Sequence, residues 1–295
     1  MMNDKTADSN KRRLAVAAIS AVALIILVQF VDSYCTEMFG KTQSLSVRTF
    51  LMDPRGMSSE AAVAYMSRGM LPFYLIGALT PFIRSYTDII GRKMMMIINV
   101  ALLAVGSAVC LLANNLWIYL LGNGILILGY SLDIHLIYIV DMLPANRRAT
   151  VRGICGGTAM AAAMCIPLMR SWIANRSGYS WQDIYIVGIV GGVGILVCMG
   201  IYVALRAAAG HRRSSETSSL YDISNEIFTK DGKIHFIHTL KELCKQNRTK
   251  ALLISICVVG LATAGIQYYN EPLLAFGGMS EKKVNIVLLC IYIRR

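Results

Sequence analysis

Charge is what this sequence has least of. Only 16% of its 295 residues are Asp, Glu, Lys or Arg, where a soluble domain carries about a quarter. The shortfall falls in long blocks, so a soluble globular fold is excluded. Alternation is missing as well. The apolar runs are continuous, which excludes a transmembrane β-barrel, whose strands alternate faces. Cysteine is present at positions 35, 110, 155, 165, 198, 244, 256 and 290, but with no metal-ligand spacing and no disulfide framework. Most of these thiols lie inside apolar runs and read as small hydrophobes. There is no H-E-x-x-H and no Gly-Ser nucleophile element with a matching histidine, so neither an enzyme nor a cofactor is expected. The net charge of +12 sits in short clusters without aromatic interleaving, which argues against nucleic acid as a partner.

What is present is hydrophobic sequence, 56% of the chain, arranged in runs of about 20 residues. Such a run matches the ~30 Å hydrocarbon layer at ~1.5 Å rise per residue. Lipid offers the backbone no hydrogen-bond partners, so each continuous run must be a helix. The spacing predicts an all-α membrane protein with seven full spans, near 14–38, 62–83, 94–113, 116–140, 151–172, 184–206 and 251–271. The run Val284–Ile293 begins an eighth span and meets Arg294 and Arg295 after ten residues, about 15 Å of helix. Lys11–Arg13 precede a first run, Leu14–Val31, that is too long for the apolar segment of a cleaved leader and lacks a small-residue cleavage site.

Counting Lys and Arg between runs puts 19 on the side of the N-terminus and eight on the other. That bias predicts a multi-pass protein of the cell membrane with a cytoplasmic N-terminus. Three regions follow: a six-span bundle over 1–206, a polar connector over 207–250, and the start of a second bundle over 251–295. The connector holds a flexible Ser214–Ser219 stretch and an amphipathic one, with Phe236, Ile237, Leu240 and Leu243 at helical spacing.

Two short loops carry a resemblance. Between spans two and three the chain reads Arg84-Ser-Tyr-Thr-Asp88-Ile-Ile-Gly91-Arg92-Lys93. This resembles the G-x-x-x-D-R-x-G-R-K signature of the major facilitator superfamily, with Arg84 in place of the leading Gly and Ile89 in place of the Arg. After span four comes Tyr138-Ile-Val-Asp141-Met-Leu-Pro144-Ala-Asn-Arg147-Arg148. It is similar to the sugar-porter element Y-x-x-E-x-x-P-x-x-x-R, with Asp for Glu. Gly91 permits a tight reversal, and Asp141 and Arg148 flank a turn that Pro144 fixes. The resemblance implies a six-helix N-terminal bundle plus the first one or two helices of a C-terminal bundle. It also implies that Asp88, Gly91, Arg92, Lys93, Asp141, Pro144 and Arg148 form a conformational latch.

Ionisable and polar groups inside spans are costly and mark candidate sites. Gln29, Asp32, Ser33 and Thr36 share one face of span one. An aspartate there resembles the span-one carboxylate that binds the proton in many family symporters. The alternative is a residue at the membrane interface. In span four, Asp133 and His135 stand two residues apart, which on a continuous helix places them on opposite faces. Asp133 is expected inward, with His135 as a packing residue. Arg68 and Arg170 lie towards the opposite side from the N-terminus, able to pair with Asp32 or Glu37 or to snorkel. In span seven, Gln267, Tyr268, Tyr269, Asn270 and Glu271 form a polar cluster before Pro272. They read as lining for a solute path or as an interfacial aromatic belt.

Tyr268-Tyr269 resembles the double tyrosine of sugar porters, whereas Val258 and Val259 stand where their paired glutamines would be. Together these residues lead to a secondary transporter of a small polar solute, a sugar or an organic acid, coupled to protons and working by alternating access. The other reading is a chain truncated within its second half, inactive alone or dependent on a separately encoded C-terminal half. A seven-helix receptor is disfavoured by the charge bias.

Overall fold

The computed structural model describes residues 2–78, 91–143, 145–210 and 270–293, and residues 245, 247, 251 and 255 besides. Among the described residues every regular element is helical. The helices are α1 (Met2–Val47), a π-turn (Arg48–Met52), α2 (Asp53–Arg55), α3 (Ser59–Ala78), α4 (Arg92–Leu111), α5 (Leu116–Tyr130), α6 (Ile134–Met142), α7 (Ala145–Ala174), a 3₁₀ turn (Trp181–Tyr185), α8 (Ile186–Gly210) and α9 (Glu281–Ile293). A further helical stretch covers 270–276. Five segments among the described residues are long and apolar enough to cross a membrane: Ile19–Arg55, Met94–Leu111, Leu116–Ile137, Asn146–Ala174 and Trp181–Ile201. Most of the connector and of the seventh expected span lies outside the described residues.

Two elements differ from the sequence reading. The first span does not stop near residue 38. It runs on to Val47, because Lys41, Thr42, Gln43, Ser44 and Ser46 are buried in the end of the bundle instead of exposed in a loop. Gly56, at φ 62, ends the following turn. The fourth span is not one helix. It breaks at residues 131–133 into α5 and α6, with consequences for the site.

The bundle is organised by α1, which packs along α7, α8, α5 and α6, while α4 lies between α5 and α8. One apolar core collects Val28, Tyr34, Met66, Met70, Leu103, Leu120 and Ile166. A smaller cluster of Ile25, Ile139, Leu143, Val151 and Cys155 holds α6 against α1 and α7. Helices in lipid associate through close packing at small residues, and α4 meets α5 at Gly106 and Gly122. A Cβ on Gly122 would stand 2.6 Å from Cys110 Sγ and 2.9 Å from its backbone N. Gly122→Val is therefore expected to destabilise the bundle by about 1–3 kcal/mol, read as a lowered melting temperature in detergent.

Candidate functional site

The break in the fourth span has a local cause. Asp133 stands at φ 45, ψ 32, and is the only non-glycine with positive φ among the described residues. Aspartate tolerates this left-handed region better than most L-residues. The turn frees carbonyls at the end of α5. Leu132 N reaches Gly129 O at 3.1 Å, and the buried Asn99 side chain on α4 donates to the same oxygen.

The reversal corrects the placing of Asp133 and His135. On a continuous helix they would diverge; across a left-handed residue they converge. Asp32, Asp133 and His135 each bring a donor atom within 4.8 Å of the other two. Asp32 and His135 are buried and Asp133 is half-buried. Gln29 completes the group: its Oε1 lies 2.9 Å from His135 Nε2, and its Nε2 donates to Ser33 Oγ at 2.7 Å. Thr36 on the same face donates instead to Asp32 O, at 2.8 Å. No other set of three His, Cys, Asp or Glu donors converges this way among the described residues. His135, read from the sequence as packing, thus belongs to the cluster.

Of the expected latch residues, Gly91 and Arg148 are described with their surroundings. That glycine, at φ 94 and ψ 130, begins α4 in a conformation L-residues rarely adopt. Asp88 and Pro144, and the side chains of Arg92, Lys93 and Asp141, lie outside the described residues. Arg148 donates from Nε to Leu143 O at 2.8 Å. Leu143 is extended, as a residue before proline must be, so its carbonyl leaves the helix and takes the guanidinium.

At the other end of α7 is a second polar group. Arg170 neither snorkels nor bonds Asp32 or Glu37. It is 3% exposed, and its Nη1 donates to Glu271 Oε1 at 2.9 Å and to Lys41 O. Its Nη2 lies 3.8 Å from Glu281 Oε1. Glu271, wholly buried, also accepts from Ser44 N at 2.8 Å and from Ser44 Oγ. Asn285 on α9 donates to Ser171 Oγ on α7 at 3.1 Å. One ion pair therefore ties α1 and α7 to the helix at 270–276 and to α9. Glu37 instead faces Lys41 at 4.0 Å, and Arg68 is exposed on α3.

Aromatic rings close the same end: Phe50, Tyr119, Trp181 and Tyr185 pack at centroid distances of 5.2–6.3 Å. Tyr119 and Tyr185 share a hydroxyl hydrogen bond of 3.1 Å. Asn270 is half-buried, while Gln267, Tyr268 and Tyr269 lie outside the described residues. The ion pair had a signal in the sequence, an Arg and a Glu each set within an apolar run. What the sequence withheld was that they are partners 101 positions apart.

A family model described as Major Facilitator Superfamily matches residues 14–280. Among curated proteins, the efflux pump FUS6 of Gibberella fujikuroi is 28% identical over 131 residues, 43% of this chain and 23% of that protein. Its counterpart from Gibberella moniliformis matches to the same extent. The chain thus aligns with about a quarter of the length of these relatives. Among solved structures, the proton:xylose symporter bound to 6-bromo-6-deoxy-D-glucose superposes with a TM-score of 0.63 at 16% identity, over 95% of this chain and 67% of that one. The inward open xylose transporter from E. coli gives 0.56 at 16% identity, covering 94% and 65%. A bacterial homologue of the human lysosomal transporter Spinster, inward-facing and unoccupied, gives 0.53 at 16% identity, covering 93% and 58%. At such identities the likeness is one of fold.

Proposed function

Since the chain belongs to the major facilitator superfamily, we propose that it serves as a secondary transporter of a small polar solute, a sugar or an organic acid, coupled to protons by alternating access. The observation that carries this reading is the convergence of Asp32, Asp133, His135 and Gln29 where the fourth span breaks. Discontinuous helices expose backbone and polar side chains at membrane depth where ions and solutes bind. Ionisable groups inside spans mark ion and proton pathways, so a cluster of two acids and a histidine there can link proton movement to solute movement. Gln267, Tyr268, Tyr269 and Asn270 would add solute contacts from the facing half. The N-terminus would be cytoplasmic and the membrane the cell membrane. Asp88, Gly91, Arg92, Lys93, Asp141, Pro144 and Arg148 would latch the cytoplasmic end in one state, and the Arg170–Glu271 pair would close the outer end in the other.

The test is uptake of labelled D-xylose, D-glucose and D-gluconate by cells expressing the protein from its complete gene. Accumulation of one of these, abolished by an uncoupler, is the expected result. Uptake that ignores the proton gradient would remove the coupling. A second reading, proton-driven export, draws on the 28% identity to efflux pumps. It predicts the reverse sign: the uncoupler would then raise the cellular content of the transported solute.

A further inference from the structure

We propose that the cavity beside Arg170 is a carboxylate subsite at that end of the bundle, in which the unused edge of the guanidinium takes the acid group of the solute. This rests on the transporter reading above and deepens it, placing the solute among the organic acids and not the sugars.

The argument starts from how Arg170 uses its donors. A guanidinium presents five N–H groups in a planar fork, and its Nε and Nη2 hydrogens point side by side from one edge. Nη1 is committed elsewhere, donating to Glu271 Oε1 at 2.9 Å and to Lys41 O. The Nε–Nη2 edge is not. Nε is buried and has no hydrogen-bond partner among the described residues. Nη2 lies 3.8 Å from Glu281 Oε1, beyond hydrogen-bond distance. The residue is 3% exposed, and a buried charged donor with no acceptor is costly. Two parallel donors on one edge match the two oxygens of a carboxylate.

Arg170 lines a cavity of about 280 Å³, whose described walls include Arg176, Tyr179, Trp181, Ile184 and Glu281. That is several times the ~30 Å³ share of one water, so the space suits a small solute. Trp181 commits its N–H to Thr49 Oγ1 at 3.0 Å and offers the cavity ring surface. Trp172 steadies two further wall residues, with Arg176 4.3 Å above its ring and Tyr179 at 5.3 Å. Arg176 is thus a second cation at the site. Glu281 is the one acid among the described walls, and its side chain is 48% exposed. It stands near enough to Arg170 to balance the charge without solute, and it holds no hydrogen bond that a solute would have to break. Lys282 and Lys283, beside it on the exposed first turn of α9, add a positive field that draws anions. A sugar hydroxyl can accept from one of the two hydrogens, but only a carboxylate offers two charged acceptors at the spacing of the fork.

The test compares two probes of one carbon skeleton, D-gluconate and D-sorbitol, which differ by a carboxylate against a hydroxymethyl group. Binding to the complete protein in detergent is measured by isothermal titration calorimetry, without a proton gradient. D-Gluconate is expected to bind about tenfold or more tightly than D-sorbitol, the scale of a hydrogen bond to a charged group. Glu281→Gln removes the acid that competes for Arg170 and is expected to tighten D-gluconate binding about two- to fivefold. A variant that was merely damaged would not bind more tightly, so this gain localises the ligand to the cavity. Arg176→Gln is expected to weaken binding by a similar factor. Equal affinity for the two probes, binding of neither, or Glu281→Gln and Arg176→Gln both without effect would overturn the proposal. The cavity would then hold water only, and transport of a sugar would still stand. D-Gluconate binding with the expected pattern, by a protein whose cells accumulate none of the three labelled solutes, would sustain the subsite and overturn the uptake reading on which it rests.

Discussion

Replacing both Asp32 and Asp133 by asparagine is expected to reduce proton-driven accumulation from about 50-fold to about onefold, while solute still equilibrates across the membrane. The scale follows from the gradient. One proton moved through 100 mV supplies about 2.3 kcal/mol, and each ~1.4 kcal/mol is tenfold in a concentration ratio. Asparagine keeps the size and hydrogen-bonding ability of aspartate but cannot release a proton. Binding and exchange should therefore survive where coupling does not. Asp32 is buried and Asp133 half-buried beside His135, so either single variant leaves one acid able to serve. The single variants are accordingly expected to lose less than the pair. Proteoliposomes with an imposed potential measure all three against the unaltered protein.

Glu271→Gln is expected to open the end of the bundle opposite Gly91. Arg170 would keep its buried position but lose the carboxylate at 2.9 Å, leaving Glu281 at 3.8 Å as its remaining anionic partner. Removing one member of a buried pair costs about 3–5 kcal/mol when the surviving charge is left uncompensated, and the half-exposed Glu281 at 3.8 Å offsets only part of that. Even the lower figure shifts the closed-to-open ratio about 100-fold. Leu288 lies fully buried on α9, so the labelling rate of Leu288→Cys, read at that residue by mass spectrometry, reports the opening. The rate should rise by about two orders of magnitude with Glu271→Gln. Combining Arg170→Met with Glu271→Leu should restore most of the protection, since a packed apolar pair removes both charges together. Equal labelling in all three would mean that the aromatic packing of Phe50, Tyr119 and Trp181 closes this end without the ion pair.

The helices were legible because lipid leaves little freedom: a run such as Met94–Leu111 can only be a helix, and it is one. The family was legible from two loops whose charges and turn residues stand at fixed offsets, and the match over 14–280 agrees. The break at Asp133 was not. Hydrophobicity runs unbroken from Leu116 to Ile137, and a single left-handed residue leaves no mark on periodicity. Placing Asp133 and His135 on opposite faces followed from assuming a continuous helix, and the error hid the cluster. Arg170 was placed at the right end but without its partner, because Glu271 is distant in sequence and reads as the edge of a different span. Lys41, Thr42, Gln43, Ser44 and Ser46 are polar and lie beyond the expected end of the first span near residue 38. They are helical because Glu271 and Arg170 reach them from other helices.

Solute-dependent proton movement is the quantity that separates this account from its competitors. In lightly buffered proteoliposomes carrying a pH-sensitive dye, a pulse of the transported solute should move protons with it in the unaltered protein. In the Asp32→Asn, Asp133→Asn variant the same pulse should give no proton signal, although labelled solute still crosses. A proton signal of undiminished size in that variant would contradict the assignment of coupling to this cluster.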